Sequence, residues 1–371
     1  MTVAIQDRAA ARVAAVRSRA YTFPTEEPES DGTLTWDSTT MIYAEIDAGG
    51  RTGIGYTYAD AAAAGLISGM LAEALVGSDA MQTGACAAKL WAKIRNNGRC
   101  GVAAMAVSAL DVALWDLKGK LLDVPVCTLL GQVRDQVPLY GSGGFTSYGL
   151  KELARHMARW VDEDEIPRVK MKVGRDHSCD RERVGTVRKA IGNDAQLFVD
   201  ANGGYAVKEA LAIAAQFAQA GVVWFEEPVD HRDLAGNARV RAMAPPSMEV
   251  SNGEYGYALD DFERMISMQA ADVLQADVTR CGGFTGFMAV DALCHSRNIP
   301  LSSHCAPYAT LHAAAAATSL RHAEYFYDHE RIERRFFDGA DSPRDGALAP
   351  DLSRPGIGLT FKAVDAIEFA V

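Results

Sequence analysis

The sequence predicts an α/β protein built around a (β/α) barrel of the TIM type, with a separate α+β region ahead of it. Three observations support this. From about residue 137, eight short apolar runs recur at a mean spacing of about 27 residues, the pitch expected when roughly 250 residues are shared among eight strand–helix units. Helical segments, such as 208–220 and 284–296, lie between successive runs. The first third lacks this beat and mixes alternating strands with Ala/Leu-rich stretches. A doubly wound open sheet is the competing architecture, because sequence alone does not show whether a sheet closes.

In chain order, MTVAIQDRAAARVAAVRSR has interspersed arginines and no signal-peptide apolar core. A first strand with a ragged leader is preferred there over a transit peptide. TMIYAEIDAGGRTGIGYTY (40–58) reads as two alternating strands joined at Asp47-Ala48-Gly49-Gly50, a hairpin by its turn residues. No helix follows its GGRTGIG string, which makes that string a poor nucleotide cradle. Residues 59–95 and 101–121 have helical periodicity, and MAVSALDVALWDLKGKLL (105–122) reads as the clearest amphipathic helix. The eight barrel runs are VPLYGS (137–142), VKMKVG (169–174), QLFVDAN (196–202), VVWFEEP (222–228), MEVSNGE (248–254), ADVLQAD (271–277), IPLSSH (299–304) and AEYFYD (323–328). DHERIERRFFDG (328–339) reads as a charged surface segment, with a substrate contact as the alternative given its position after the eighth strand. The Asp/Pro/Gly-rich tail after about 340 reads as a connection returning to the N-terminal region.

The bulk numbers exclude several functions. Of 371 residues, 49% are hydrophobic and 23% charged, an ordinary globular composition. A net charge of -11 offers a phosphate backbone nothing, so no nucleic-acid partner is expected. Seven cysteines without a C-x-x-C pair suggest neither a disulfide framework nor a zinc site, and a reducing cytoplasm is the default compartment. No apolar stretch reaches the roughly 18 residues of a membrane span, so no membrane partner is expected either.

The polar residues at the strand ends carry the functional signal. Lys172, Asp200, Glu226, Glu254, Asp277, His304 and Glu324 follow one another at steps of 28, 26, 28, 23, 27 and 20 residues. In a barrel, this gathers them at the C-terminal mouth, where such folds hold their active sites. Asp200, Glu226 and Glu254 are oxygen donors from consecutive strands. Three converging carboxylates cannot stay ionised unpaired, so a hard divalent cation is implied, Mg2+ with Mn2+ as a substitute. Strand alternation forbids Glu226 and Glu227 from both pointing inward, so one takes the metal and the other supports it or forms a salt bridge. Asp277 beside His304 would orient the imidazole and raise its basicity. G-x-S-x-G is absent, and Cys305 is expected to face away from the site.

These residues resemble the enolase superfamily, in its mandelate racemase subgroup, over nearly the whole chain. The motifs carrying the resemblance are VKMKVG with its K-x-K pair, VDANGGY, WFEEPV, NGEYG, LQADVTRCGGFTG, SSHCAP and HAEYF. The resemblance implies a modified TIM-type (β/α) barrel with an N-terminal α+β capping domain completed by the C-terminal segment. Its divisions would be 1–130, 131–340 and 341–371. It also implies that Asp200, Glu226 and Glu254 bind Mg2+, Lys172 is the base on one substrate face, and His304, oriented by Asp277, is acid or base on the other. Lys170 would contact the substrate carboxylate or tune Lys172, and Glu324 would donate a hydrogen bond to a carboxylate oxygen. Asn202 and Ser142 would lie near metal or substrate. The α-proton abstraction giving an enediolate is the superfamily's known chemistry. Physically, a second developing negative charge must be neutralised, and Lys170 and the metal are expected to push the Lys172 pKa down.

Racemases, acid-sugar dehydratases and cycloisomerases share that first step, and Lys172 with His304 permits all three outcomes. Dehydration of an acid sugar is the favoured expectation. The segment TFPTEEPESDGTLTW (22–36), read as a capping loop, is polar with one aromatic, Trp36, and suits a hydroxylated carboxylate better than a phenyl ring. A non-catalytic binding protein that keeps the barrel is the alternative from another class. The family habit implies a homo-oligomer, a dimer or an octamer.

Overall fold

The structure is a computed structural model describing residues 11–371. Leader residues 1–10 lie outside the described residues. The chain opens with an antiparallel sheet in the order β1 (Val13–Ser30), β2 (Thr35–Ala48), β3 (Arg51–Tyr58). Ala48 pairs with Arg51, leaving Gly49 and Gly50 at φ 59° and 72°. This is the two-residue turn that matches strand twist and requires positive φ at both positions. Segment 22–36, expected as a loop, is mostly strand. After an irregularity between Pro24 and Glu29, pairing resumes at Glu29 with Trp36 and Ser30 with Thr35. A bulge of this kind re-aims side chains while keeping the ladder, and here Trp36 Nε1 donates to Glu29 Oε2 at 2.8 Å.

Helix Val102–Leu122 corrects the amphipathic reading, since 14 of its 21 residues are buried. One side takes the sheet, where Gly53 and Gly55 let it approach. A Cβ at either glycine would lie 2.2 or 2.1 Å from Ala113 O or Ala109 O. The other side takes helix Gly283–Arg297, with Asp111 Oδ1 accepting from Thr285 Oγ1 at 2.6 Å. Asp116 accepts from Ile54 N at 2.7 Å and Ile357 N at 2.8 Å, joining sheet, helix and C-terminal segment. That segment continues across the sheet, stacking Phe361 on Tyr43 at 4.4 Å and donating Val371 N to Ala20 O.

Eight parallel strands follow: β4 (Val137–Gly143), β5 (Arg168–Lys172), β6 (Gln196–Asp200), β7 (Val222–Glu226), β8 (Glu249–Asn252), β9 (Val273–Ala276), β10 (Leu301–Ser303) and β11 (Leu320–Phe326). β11 pairs back onto β4, with Glu324 opposite Tyr140, so the sheet closes and the open alternative is ruled out. Alternation divides the interior into two tiers. Tyr140, Phe198, Trp224 and Val273 form an apolar plug, with Phe198 stacked on Trp224 at 5.1 Å. Two residues further along β6 and β7, the inward positions are Asp200 and Glu226. The expected surface segment 328–339 is instead largely the helix Tyr327–Phe336, with Asp328, His329, Glu330 and Glu333 buried. Among the described residues, no helix is long and apolar enough to cross a membrane.

Besides His304, four imidazoles are buried among the described residues. Burial drives His156, His322 and His329 down to about 3 and His312 to about 4. The folded chain thus keeps them neutral below their ordinary value of about 6.5, while the unfolded chain protonates them. Each contributes stability fully present above pH 6.5. Below it, that contribution falls by about 1.4 kcal/mol per pH unit until the folded pKa is reached. His322 packs inside the barrel against Tyr140 at 5.0 Å. Unfolding free energy followed between pH 6.5 and 4 should decline with protonation, and His322→Gln should lower that slope by about one proton. An unchanged slope would contradict a neutral, buried His322.

Candidate active site

The carboxylates at the ends of β6 and β7 and just beyond β8 converge. One oxygen from each of Asp200, Glu226 and Glu254 lies within 4.8 Å of the others, and all three residues are buried. Asp200 and Glu226 are the last residues of their strands. Glu254 follows Gly253, whose φ of 138° and 2.3 Å clearance between a built Cβ and Gln275 O admit only glycine. Beneath them the two lysines of β5 point inward, as alternation requires. Lys170 Nζ lies 2.6 Å from Glu226 Oε1, 2.8 Å from Glu324 Oε1 and 3.6 Å from Asp200 Oδ2. Lys172 Nζ lies 2.5 Å from Asp200 Oδ2. Glu226 Oε2 accepts from Trp224 Nε1 and Gln275 Nε2.

Two lysines do not neutralise this cluster. Burial and Asp200 lift Glu226 to about 8 despite Lys170. Glu226, not Glu227, is the residue that converges with Asp200 and Glu254. β7 stops at Glu226, Glu227 takes φ 38°, and its carboxyl is buried with Oε1 unpartnered. Burial, then Glu254 and Asp200, push it well above the carboxylate range, and no salt-bridge partner for it occurs among the described residues. Buried, oxygen-only, convergent and over-negative, Asp200, Glu226 and Glu254 fit a hard divalent cation. Lys170 acts on the Lys172 pKa in the expected downward direction, but the surrounding carboxylates oppose it. Burial and then Lys170 lower it, whereas Asp200, with Glu254 and Glu226 behind it, raises it, and the net shift is upward.

Across the mouth, His304 Nδ1 meets Asp277 Oδ2 at 2.8 Å, and Asp277 Oδ1 also accepts from Thr279 N and Oγ1 at 2.7 Å. Asp277 thus orients the ring as expected. His304 Nε2 faces Glu254 Oε2 at 3.3 Å and Glu324 Oε2 at 3.9 Å. Burial disfavours the imidazolium, but Cys305, Glu254 and the Asp277 hydrogen bond hold its pKa well above the ordinary value. Cys305 does not face away. Its backbone takes φ 47°, and Sγ lies 3.2 Å from His304 Nε2. At Glu324 burial opposes the charge, yet Lys170 keeps it ionised below the usual range, and its Oε2 accepts from Cys305 N at 2.7 Å.

A cleft of about 230 Å³ opens over these groups, between barrel mouth and cap. Lys172, Asn202, Glu254, His304 and Glu324 line it, whereas Ser142 lies outside that lining, fully buried with Oγ unpartnered. Several lining residues escaped the sequence reading. Asp31, Ser38 and Thr39 come from the cap, Tyr255 and Arg280 from the barrel loops, and His329 stacks on Tyr58 at 3.5 Å. Arg280, three residues after Asp277, had a visible signal in its motif. The cap residues had none, because a bulged strand hides its register.

Comparison with known proteins agrees with this geometry. Residues 16–131 match the mandelate racemase / muconate lactonizing enzyme N-terminal domain, and residues 152–366 the enolase C-terminal domain-like family. The chain is 34% identical to a 3,6-anhydro-alpha-L-galactonate cycloisomerase of Streptomyces coelicolor, covering 85% of this chain and 87% of that protein. It is 31% identical to the L-talarate/galactarate dehydratase of Salmonella typhimurium, over 86% of this chain and 80% of the other. The crystal structure of that dehydratase with Mg and L-lyxarohydroxamate superposes at a TM-score of 0.87, with 28% identity, covering 97% and 93% of the two chains. A mandelate racemase/muconate lactonizing enzyme-like protein from Rubrobacter xylanophilus gives a TM-score of 0.95 at 49% identity, covering 97% and 100%.

Metal loading should be visible in stability. With Mg2+ at 100 times its dissociation constant, the folded state should gain about 2.7 kcal/mol over chelator-treated protein, and Glu226→Gln should abolish most of that gain. A thermal shift of equal size in the variant would exclude Glu226 as a ligand.

Proposed function

The chain belongs to the mandelate racemase / muconate lactonizing enzyme family, and from that premise we propose that it removes the α-proton of a hydroxylated carboxylate to form an enediolate, which then expels a β-hydroxyl as water. The reading is an acid-sugar dehydratase. One observation carries it: three converging carboxylates stand between a lysine tied to the first, Lys172 to Asp200, and a histidine facing the last, His304 to Glu254. Asp200, Glu226 and Glu254 would hold Mg2+. That ion would supply charge neutralisation for the substrate carboxylate and for the negative charge that grows as the α-proton leaves.

The chain's own groups do the proton work. Lys172 and His304 come from strands three steps apart around the closed sheet, through β11 and β4, so they would address opposite faces of a substrate between them. Lys172 must be neutral to act as a base. It gives up its proton more readily once Asp200 is no longer its own counter-ion, and the neighbouring Lys170 charge works in the same direction. His304 would deliver the proton that lets a β-hydroxyl depart. Its Nδ1–H stays bonded to Asp277, so Nε2 is the working atom. Lys170, Glu324 and Asn202 would bind the substrate's oxygens. The polar walls from Asp31, Ser38 and Thr39 support a substrate rich in hydroxyls.

The cycloisomerase relative at 34% identity favours a second reading, in which the same enediolate opens or closes an intramolecular ring. A library of aldonates, aldarates and their lactones or anhydro derivatives, incubated with Mg2+-loaded protein in D2O, separates the readings. A 2-keto-3-deoxy acid identifies dehydration, a ring-opened isomer cycloisomerisation, and deuterium exchange with inversion alone racemisation. No exchange with any member would favour a binding protein. Lys172→Ala and His304→Asn should each lower kcat by roughly 100- to 10,000-fold with the fold retained. Exchange surviving in the double variant would show these bases to be misassigned.

A further inference from the structure

We propose that His304, Cys305 and Glu324 form a second cation site, for a borderline-soft divalent ion such as Zn2+ or Cd2+, in the wall of the cleft beside the all-carboxylate floor. One ligand atom from each lies within 4.8 Å of the others, and all three residues are buried. Sγ of Cys305 stands 3.2 Å from His304 Nε2, and Glu324 Oε2 stands 3.9 Å from it. Separations of this size suit donors that share a small tetrahedral ion at about 2.0–2.3 Å.

The surroundings support ligation. His304 Nδ1 is engaged by Asp277, which leaves Nε2 as the coordinating atom and gives the carboxylate–histidine–metal arrangement that fixes ring orientation. Glu324 Oε2 accepts only from Cys305 N, so it retains a lone pair. Cys305 is turned inward by its positive φ rather than outward as a continuing strand would turn it. All three residues line the cleft, which gives an ion an entry path. The two sites differ in donor chemistry: three carboxylates select a hard ion, whereas imidazole, thiol and carboxylate together select a softer one.

Binding breaks the S–H bond of Cys305 and the Nε2–H bond of His304, forms metal–sulfur and metal–nitrogen bonds, and sends both protons to solvent. Nothing is oxidised. If His304 is the acid/base group, which rests on the proposed function, occupancy of this site stops turnover by taking Nε2.

The test is a Cd2+ titration of Mg2+-saturated protein, followed by the near-ultraviolet thiolate-to-cadmium charge-transfer band, with turnover measured alongside where a substrate has been found. Cys100 and Cys179 are exposed, so the reading is the difference between wild type and Cys305→Ser. The expected result is a wild-type excess of one thiolate's band per chain, together with at least tenfold weaker Cd2+ binding in His304→Gln. Identical titrations for wild type and Cys305→Ser would overturn the proposal, as would unaltered affinity in His304→Gln, which serves should the serine variant misfold. A Cys305-dependent band with unimpaired turnover would uphold the site and instead remove His304 from the proposed reaction. Absence of the band leaves that reaction untouched.

Discussion

The contact between Lys172 and Asp200, 2.5 Å apart in a buried setting, is the constraint on which the rest of the site depends. Three strands deliver carboxylates to one dry point, and charge buried there must be balanced or protonated. The chain supplies two lysines from a single strand to balance them. Burial, followed by the neighbouring carboxylates, pushes Glu226 and Glu227 upward despite the lysines. A site with this excess of negative charge is prepared for a divalent ion.

Below this polar tier, the plug of Tyr140, Phe198 and Trp224 excludes water from one end of the barrel. Above it, the cap closes the other. The two parts are joined by buried polar contacts: Asp111 of the cap helix accepts from Thr285 N and Oγ1, and Glu333 accepts from Tyr58 and from Tyr308 N. Tyr58 in turn holds His329 against the cleft wall. Cap and barrel are thus linked through groups whose removal would leave buried donors or acceptors without partners.

Much of this was legible before any coordinates. All eight barrel runs are strands, because a parallel strand buried on both faces leaves a short apolar signature bounded by turn residues. The metal-ligand candidates Asp200 and Glu226 were readable because alternation places strand-end residues at the mouth. Alternation also misled where the strand had already ended. Cys305, the residue after an expected inward group, adopts positive φ and stands beside His304 in the cleft lining. Helix Val102–Leu122 was misread because periodicity records one apolar face, and here two partners cover opposite faces. Charge misled for 328–339, whose acids are buried by pairing: Asp328 with Arg331, and Glu330 with Arg334.

The central claim is that Asp200 holds the proton on Lys172 until a cation takes over that carboxylate. Its most direct test is an NMR pH titration of isotopically labelled lysine side chains, with and without Mg2+. Without the ion, Lys172 should remain charged beyond the ordinary lysine range. With Mg2+ its titration should move to lower pH, while Lys170, still held by Glu324 at 2.8 Å, should remain charged. A Lys172 titration identical in both conditions, or a neutral Lys172 in the metal-free protein, would contradict this account.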